Sequence, residues 1–92
     1  MKSLMSSEKK CWVCGTDQAI EEHHVFPGWA RRKLSDKYGC TVYLCHKHHN
    51  EPPEGVHYNK ALDKLLKAEC QKRFEEKYSH EEFMRIFGKN WI

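Results

Sequence analysis

The predicted fold class is a small α+β domain, and three observations predict it. Two short segments rich in β-branched and aromatic residues predict strands, one ending in EEHHVF and the other being CTVYLC, residues 40–45. Residues 57–78 repeat apolar side chains every fourth position, as one face of a helix does. A chain of 92 residues has a thin core, because domains of this size bury only about 60–65 % of their unfolded surface. An additional stabilising element is therefore expected.

The composition is that of a globular protein, with 39 % hydrophobic and 32 % charged residues. No apolar run approaches the roughly 20 residues that crossing a bilayer requires, and the N-terminal segment lacks the apolar centre of a signal peptide. We therefore predict a cytoplasmic chain with no membrane partner. Residues 1–9 are expected to form a flexible tail, followed by a single domain over residues 10–92.

The remaining elements follow from local patterns. WARRKLSDKY predicts a short basic helix closed by Gly39, and HKHHN enters a helical turn that Pro52 and Pro53 must stop. The sequence from Ser79 to Glu82 has the form of a capping box, which opens a last helix that Gly88 closes. The stripe of the long helix is expected to be core, reinforced by Leu65, with the last helix packed on it; its residues are Leu62, Leu66, Cys70, Phe74 and Tyr78.

Two ligand pairs of matching spacing predict a structural zinc site. Cys11 and Cys14 form the first pair, and Cys45 and His48 form the second pair after 30 intervening residues. Together they make the three-cysteine, one-histidine set that tetrahedral Zn²⁺ accepts. A redox role for the CxxC pair would require a βαβ pattern, which the sequence lacks. Of the remaining cysteines, Cys70 falls on the helix stripe and Cys40 stays unassigned.

Further histidines suggest a second site. His23 and His24 are adjacent at the end of the first strand, where neighbours point to opposite faces, so the core accounts for one of them at most. His49 and His57 also remain after His48 is assigned to zinc. An open site built from imidazoles could hold a divalent ion beside a phosphodiester, while an uncoordinated histidine takes a proton from water.

The order of these motifs resembles that of the HNH (His-Asn-His) endonucleases, the ββα-metal superfamily. CxxC, HH at a strand end and LCxxH followed by His carry the resemblance, together with HHVFPG, GVHYN, FEEKY and EEFMRIFGKNW. These segments are most similar to small phage and prophage HNH proteins, including the recombinase-dependent Ref type. The resemblance implies a ββα-metal unit of treble-clef-like form, stabilised by zinc, that extends to about residue 60. C-terminal helices would continue the domain to residue 92.

The resemblance also implies roles for individual residues. His23 and His49 would bind a catalytic divalent ion, with Mg²⁺ or Mn²⁺ expected, and His24 would be the general base. The position one helical turn after His49, where many members have a further ligand, is Pro53 here, so His57 is the candidate replacement. An exposed histidine before a helix is an equally open interpretation of His57. Cys40 occupies the place of the middle asparagine, which in the family supports the loop that carries the general base. Here a backbone group or Asn59 would take that supporting role.

DNA is the expected partner, held mainly through its backbone and with marked salt dependence. Arg31, Arg32 and Lys33 are the candidate phosphate contacts, although a solvated helix face explains them as well. Two other functions stay open. One is a non-catalytic zinc-stabilised module that binds DNA or protein, and the other is a subunit of a phage recombination complex that is active only with a partner such as a recombinase filament.

Overall fold

A computed structural model describes residues 3–26 and 29–92, with the side chains of residues 29–31 outside that description. Within this part of the chain the fold is α+β, with one two-stranded sheet and four helices. Every helix and strand lies where the sequence predicts one. The elements are β1 (Ile20–His24), α1 (Trp29–Tyr38), β2 (Thr41–Cys45), α2 (His46–Asn50), α3 (Lys60–Lys77) and α4 (His80–Phe87).

The two strands are antiparallel, and their register positions the histidines. Ile20 faces Cys45 and His23 faces Val42 across the ladder. Because side chains alternate along a strand, His23 points to the face opposite that of His24. α2 starts directly after Cys45, so residues 45–49 turn from strand to helix beside the first residues of β1.

Side-chain caps define the ends of the two C-terminal helices. The Asn59 side chain accepts a hydrogen bond from the backbone N–H of Leu62 and caps α3. Ser79 caps α4 by accepting from the N–H of Glu82, and Gly88 ends that helix at a φ of 75°. The capping box and the closing glycine were predicted from the sequence and are confirmed. Asn59 is committed to its cap, and the long helix begins at Lys60 rather than at residue 57.

The core lies between the sheet and the last two helices. From α3 the buried residues include Leu66, Cys70 and Phe74, which confirms the centre of the predicted stripe. Phe74 contacts the rings of Phe83 and Phe87 at centroid distances of 5.5 and 5.9 Å, so α4 packs on α3 as expected. Leu62, at the start of the stripe, also packs against the core. The prediction is wrong for Leu65, which is 48 % exposed, and for Tyr78 at the end of the stripe, which is 40 % exposed.

The N-terminal residues differ from the predicted flexible tail. Met5 is buried, and the N–H of Leu4 donates to the carbonyl oxygen of Gly39 at 2.8 Å. The Arg73 guanidinium on α3 donates to the carbonyl oxygens of Leu4 and Met5 at 3.2 and 3.0 Å. Residues 3–6 therefore join the domain, since a long-range arginine supplies partners that their own sequence does not reveal.

None of the helices in the described ranges combines the length and the apolarity that crossing a bilayer would need.

Candidate metal centres

The first candidate centre joins a turn before the sheet to the start of α2. In the turn, Gly15 takes a φ of 77° and its N–H donates to the carbonyl oxygen of Cys11 at 2.8 Å. This conformation curls the backbone so that Cys11 and Cys14 face the same way. The N–H of Trp12 donates to the carbonyl oxygen of Tyr43 at 2.9 Å, which fixes the turn against β2.

One ligand atom from each member of the set Cys11, Cys14, Cys45 and His48 lies within 4.8 Å of the others. The sulfurs of Cys14 and Cys45 are 3.9 Å apart. Two sulfurs bound to one tetrahedral zinc ion at about 2.3 Å must be about 3.8 Å apart. The Nδ1 atom of His48 lies 3.7 Å from the Cys11 sulfur and 3.2 Å from the Cys45 sulfur, close to the corresponding separation. This set could hold a metal ion such as zinc, as the sequence predicts.

The electrostatics around Cys11 favour the metal-binding thiolate. Burial would raise the pKa of the Cys11 thiol, but hydrogen bonds from the backbone of Cys45, Cys14 and Val13 together lower it to about 6. The lowered pKa favours the thiolate over the thiol at Cys11. A thiolate is the form that coordinates zinc.

The second candidate centre consists of His23, His49 and His57, which each offer a ring nitrogen within 4.8 Å of the others. The ring centroid of His23 is 5.1 Å from that of His49 and 5.4 Å from that of His57. The resemblance implied His23 and His49 and left His57 as one of two open interpretations, and the structure brings all three side chains together. His48 and His49 are neighbours on α2, so one short helix serves both centres.

His57 reaches this centre because the loop after α2 folds back on that helix. The N–H of Val56 donates to the carbonyl oxygen of His48 at 2.8 Å, and Val56 is buried. The N–H of Gly55 donates to the carbonyl oxygen of Glu51, and a Cβ atom on Gly55 would lie 2.8 Å from that residue's backbone. The close approach requires glycine. His57 is exposed, but its ring centroid stands 4.9 Å from that of His49.

His23 is the buried member of the centre. Its side chain is 3 % exposed, and its Nε2 is a buried atom with no hydrogen-bond partner among the residues that the structure describes. Burial first, and then the charges of His49 and His57, lower the pKa of His23 to about 3. A buried neutral imidazole with an unused nitrogen is costly unless something binds it. Metal ions bind imidazole in this neutral form.

Glu21 orients the centre from one side, and its role was not predicted from the sequence. Its carboxylate accepts from His49 Nδ1 at 2.7 Å, from His46 Nδ1 at 2.8 Å and from the Asn50 amide at 2.6 Å. The hydrogen bonds from His46 and then from His49 lower the pKa of Glu21. With Nδ1 of His49 donating, the lone pair of its neutral ring lies on Nε2. Carboxylates orient metal-binding histidines in this way.

We expect Glu21→Gln to weaken ion binding at the histidine centre by about 10- to 100-fold, the usual effect of removing such an orienting carboxylate. Glu76 on α3 is exposed and lies outside the candidate metal-binding groups, so Glu76→Gln is the control. Titration of zinc-loaded protein with Co²⁺, followed by absorbance, measures the affinity. Equal affinities for the two variants would contradict this role of Glu21.

His24 belongs to a different group. Its Nε2 is 2.8 Å from Oδ1 of Asp36 on α1, and Glu22 lies close to both side chains. The structure does not join His24 to the three clustered histidines. Because Nε2–H donates to the Asp36 carboxylate, Nδ1 of the neutral ring can accept a hydrogen bond from another group.

The turn after β1 is braced by groups other than an asparagine. The carbonyl oxygen of Cys40 accepts from the N–H of Val25 at 3.0 Å, and the buried Ser35 hydroxyl bonds both backbone groups of Phe26. Cys40 therefore contributes its backbone, one of the two alternatives considered for this position. Its thiol is buried, and the interaction with it, together with burial, raises the pKa of Cys70.

No family model matches the sequence, and no curated protein or solved structure matches it either. The resemblance to HNH endonucleases therefore depends on the motifs alone.

The predicted phosphate contacts are only partly described. Arg32 and Lys33 are exposed on α1, whereas the Arg31 side chain lies outside the described residues. Glu21 and Asp36 were missed because an acidic residue near a histidine is common in any sequence. Only the pairing of β1 with β2 and the packing of α1 bring these carboxylates to particular histidines.

Proposed function

We propose that the protein is a metal-dependent endonuclease that hydrolyses DNA phosphodiester bonds. The observation that carries the proposal is the centre formed by His23, His49 and His57, in which a buried imidazole nitrogen has no hydrogen-bond partner within residues 3–26 and 29–92 as the structure describes them. This centre stands next to the Cys11, Cys14, Cys45 and His48 set, which could hold a structural ion. A purely structural zinc site would not require it.

The donor set suggests which ion is bound. Three imidazoles without a direct carboxylate ligand suit Zn²⁺ or another imidazole-binding transition ion better than Mg²⁺, which prefers oxygen, and Mn²⁺ shares part of that preference. This chemistry argues against the Mg²⁺ expected from the resemblance more strongly than against Mn²⁺. When bound, such an ion would stabilise charge on the phosphate and on the leaving oxygen.

His24 is proposed to take the proton from the attacking water. Asp36 holds Nε2 of its ring at 2.8 Å, which orients the imidazole and leaves Nδ1 as the basic atom. His23 and His24 are adjacent at the end of β1, and their side chains leave the strand on opposite faces. The proposal therefore requires a substrate phosphate at this end of the sheet that reaches both the ion and His24. Resemblance to the HNH enzymes implies products with a 5′-phosphate and a 3′-hydroxyl.

Replacement of His24 tests the proposal. We expect His24→Ala to reduce plasmid nicking by about 10²- to 10⁴-fold, the usual contribution of a general base. His80→Ala is the matched control, because His80 is exposed and contacts Glu75 on the far helices. Nicking is measured with Mn²⁺, Zn²⁺, Mg²⁺ or chelator, after equal zinc content has been verified.

Unchanged nicking in His24→Ala would contradict its role as base. Two further outcomes would favour other functions. If neither protein cuts duplex or single-stranded DNA with any ion, the chain acts instead as a zinc-stabilised binding module. Cleavage that appears only after addition of a recombinase filament would identify the partner-dependent recombination subunit.

A further inference from the structure

A cavity of about 210 Å³ opens at the start of α3, beside the histidine centre. Its lining is Val56, His57, Lys60, Asp63 and Lys67. The three helical residues are spaced so that they share one face of α3. His57 belongs both to this lining and to the histidine centre, so a ligand in the cavity would be next to the ion.

Lys67 is held in a defined position in this cavity. Its ammonium donates to Asp63 Oδ2 at 2.8 Å, and its side chain is only 13 % exposed. It also lies 4.7 Å from the centre of the Trp91 ring. An ammonium has three N–H donors, so this arrangement leaves donors for a ligand. Lys67 is close enough to His23 for its charge to lower the pKa of that imidazole.

The C-terminal segment holds in place the Trp91 ring on which the Lys67 ammonium packs. The fully buried Gln71 accepts from the Trp91 N–H at 2.7 Å and donates to the Asn90 side chain at 2.7 Å. These bonds fix the Trp91 ring against α3, where the ammonium of Lys89 lies 4.3 Å from its centre. The ring thus contacts two lysines.

The charges of the lining favour an anion. Lys60 and Lys67 each contribute +1 and Asp63 contributes −1, so the cavity has a net charge of +1 before any ion binds. We propose that this cavity is a phosphate subsite for the nucleic-acid backbone, which binds a phosphate neighbouring the one at the histidine centre. The subsite rests on the proposed function, and it adds a backbone contact on α3 to those expected on α1.

Salt-dependent binding tests this subsite separately from cleavage. A fluorescent duplex is titrated with His24→Ala protein at several salt concentrations, and its integrity is verified on a gel. We expect Lys60→Gln and Lys67→Gln each to reduce the slope of log K against log salt by about 0.9, the value for one phosphate contact. Removal of the negative charge in Asp63→Asn should tighten binding. Lys72→Gln, on another face of α3, is the control and should leave the slope unchanged.

The outcomes separate this inference from the proposed function. Unchanged slopes for both lysine variants, in a protein whose His24-containing form cuts DNA, would overturn the subsite and leave the nuclease proposal intact. An equal reduction of slope in Lys72→Gln would also overturn it, since the effect would then be general surface charge. Failure of the parent protein to bind either the duplex or a single strand at low salt would refute both. Lys60 is exposed, so its variant remains informative if Lys67→Gln does not fold.

Discussion

Cys14→Ser is expected to abolish cooperative folding, although the Cys14 side chain is exposed. Substitutions at exposed positions usually change the free energy of unfolding by no more than about 0.5 kcal/mol. A large loss of stability would therefore indicate that the bound ion had been lost. Structural zinc contributes about 10–16 kcal/mol of apparent binding free energy in small domains, compared with total stabilities of about 5–15 kcal/mol. Loss of one of the four ligands is therefore expected to unfold the domain.

Circular dichroism melting and native mass spectrometry measure this effect. We expect wild type to contain zinc and to melt cooperatively, and both Cys14→Ser and chelator-treated wild type to lose the transition. Val13→Ser is the control, because Val13 lies in the same turn and is 43 % exposed. A chelated wild type that keeps its helical signal and melting temperature would show that the fold does not depend on zinc.

Under the proposed function, His57→Ala is expected to remove the ion of the histidine centre and to reduce cleavage. The exposed position of His57 means that the truncation leaves no cavity in the core. Loss of a ligand from a set of three leaves two imidazoles, which hold an ion only weakly. Metal-ion catalysis supplies several kcal/mol of transition-state stabilisation, so cleavage should fall by about 10³-fold.

The adjacent Tyr58, which is 61 % exposed, provides the control variant Tyr58→Ala. Native mass spectrometry is expected to find two ions per chain in the control and one in His57→Ala, with equal melting temperatures. Two retained ions in His57→Ala would contradict its role as a ligand. One retained ion with undiminished nicking would separate the histidine centre from catalysis.

Local patterns were sufficient to predict the helices, the strands and the candidate zinc ligands. Pairs such as Cys11–Cys14 and Cys45–His48 are set by spacings of three residues, and one turn of backbone brings such neighbours together. The caps at Ser79 and Gly88 are equally local, since each bonds within one helical turn. Residues 3–6 escaped prediction because their partner, Arg73, is distant in the sequence.

The histidine centre depends both on the sequence motifs and on the tertiary structure. The motif order singled out His23 and His49, but the loop over residues 51–59 decides that His57 joins them. Carboxylates such as Glu21 and Asp36 acquire their histidine partners only through strand pairing and helix packing. The sequence alone determined which chemical groups the chain carries and on which elements. Only the tertiary structure decided which of them meet, because those contacts join residues far apart in the chain.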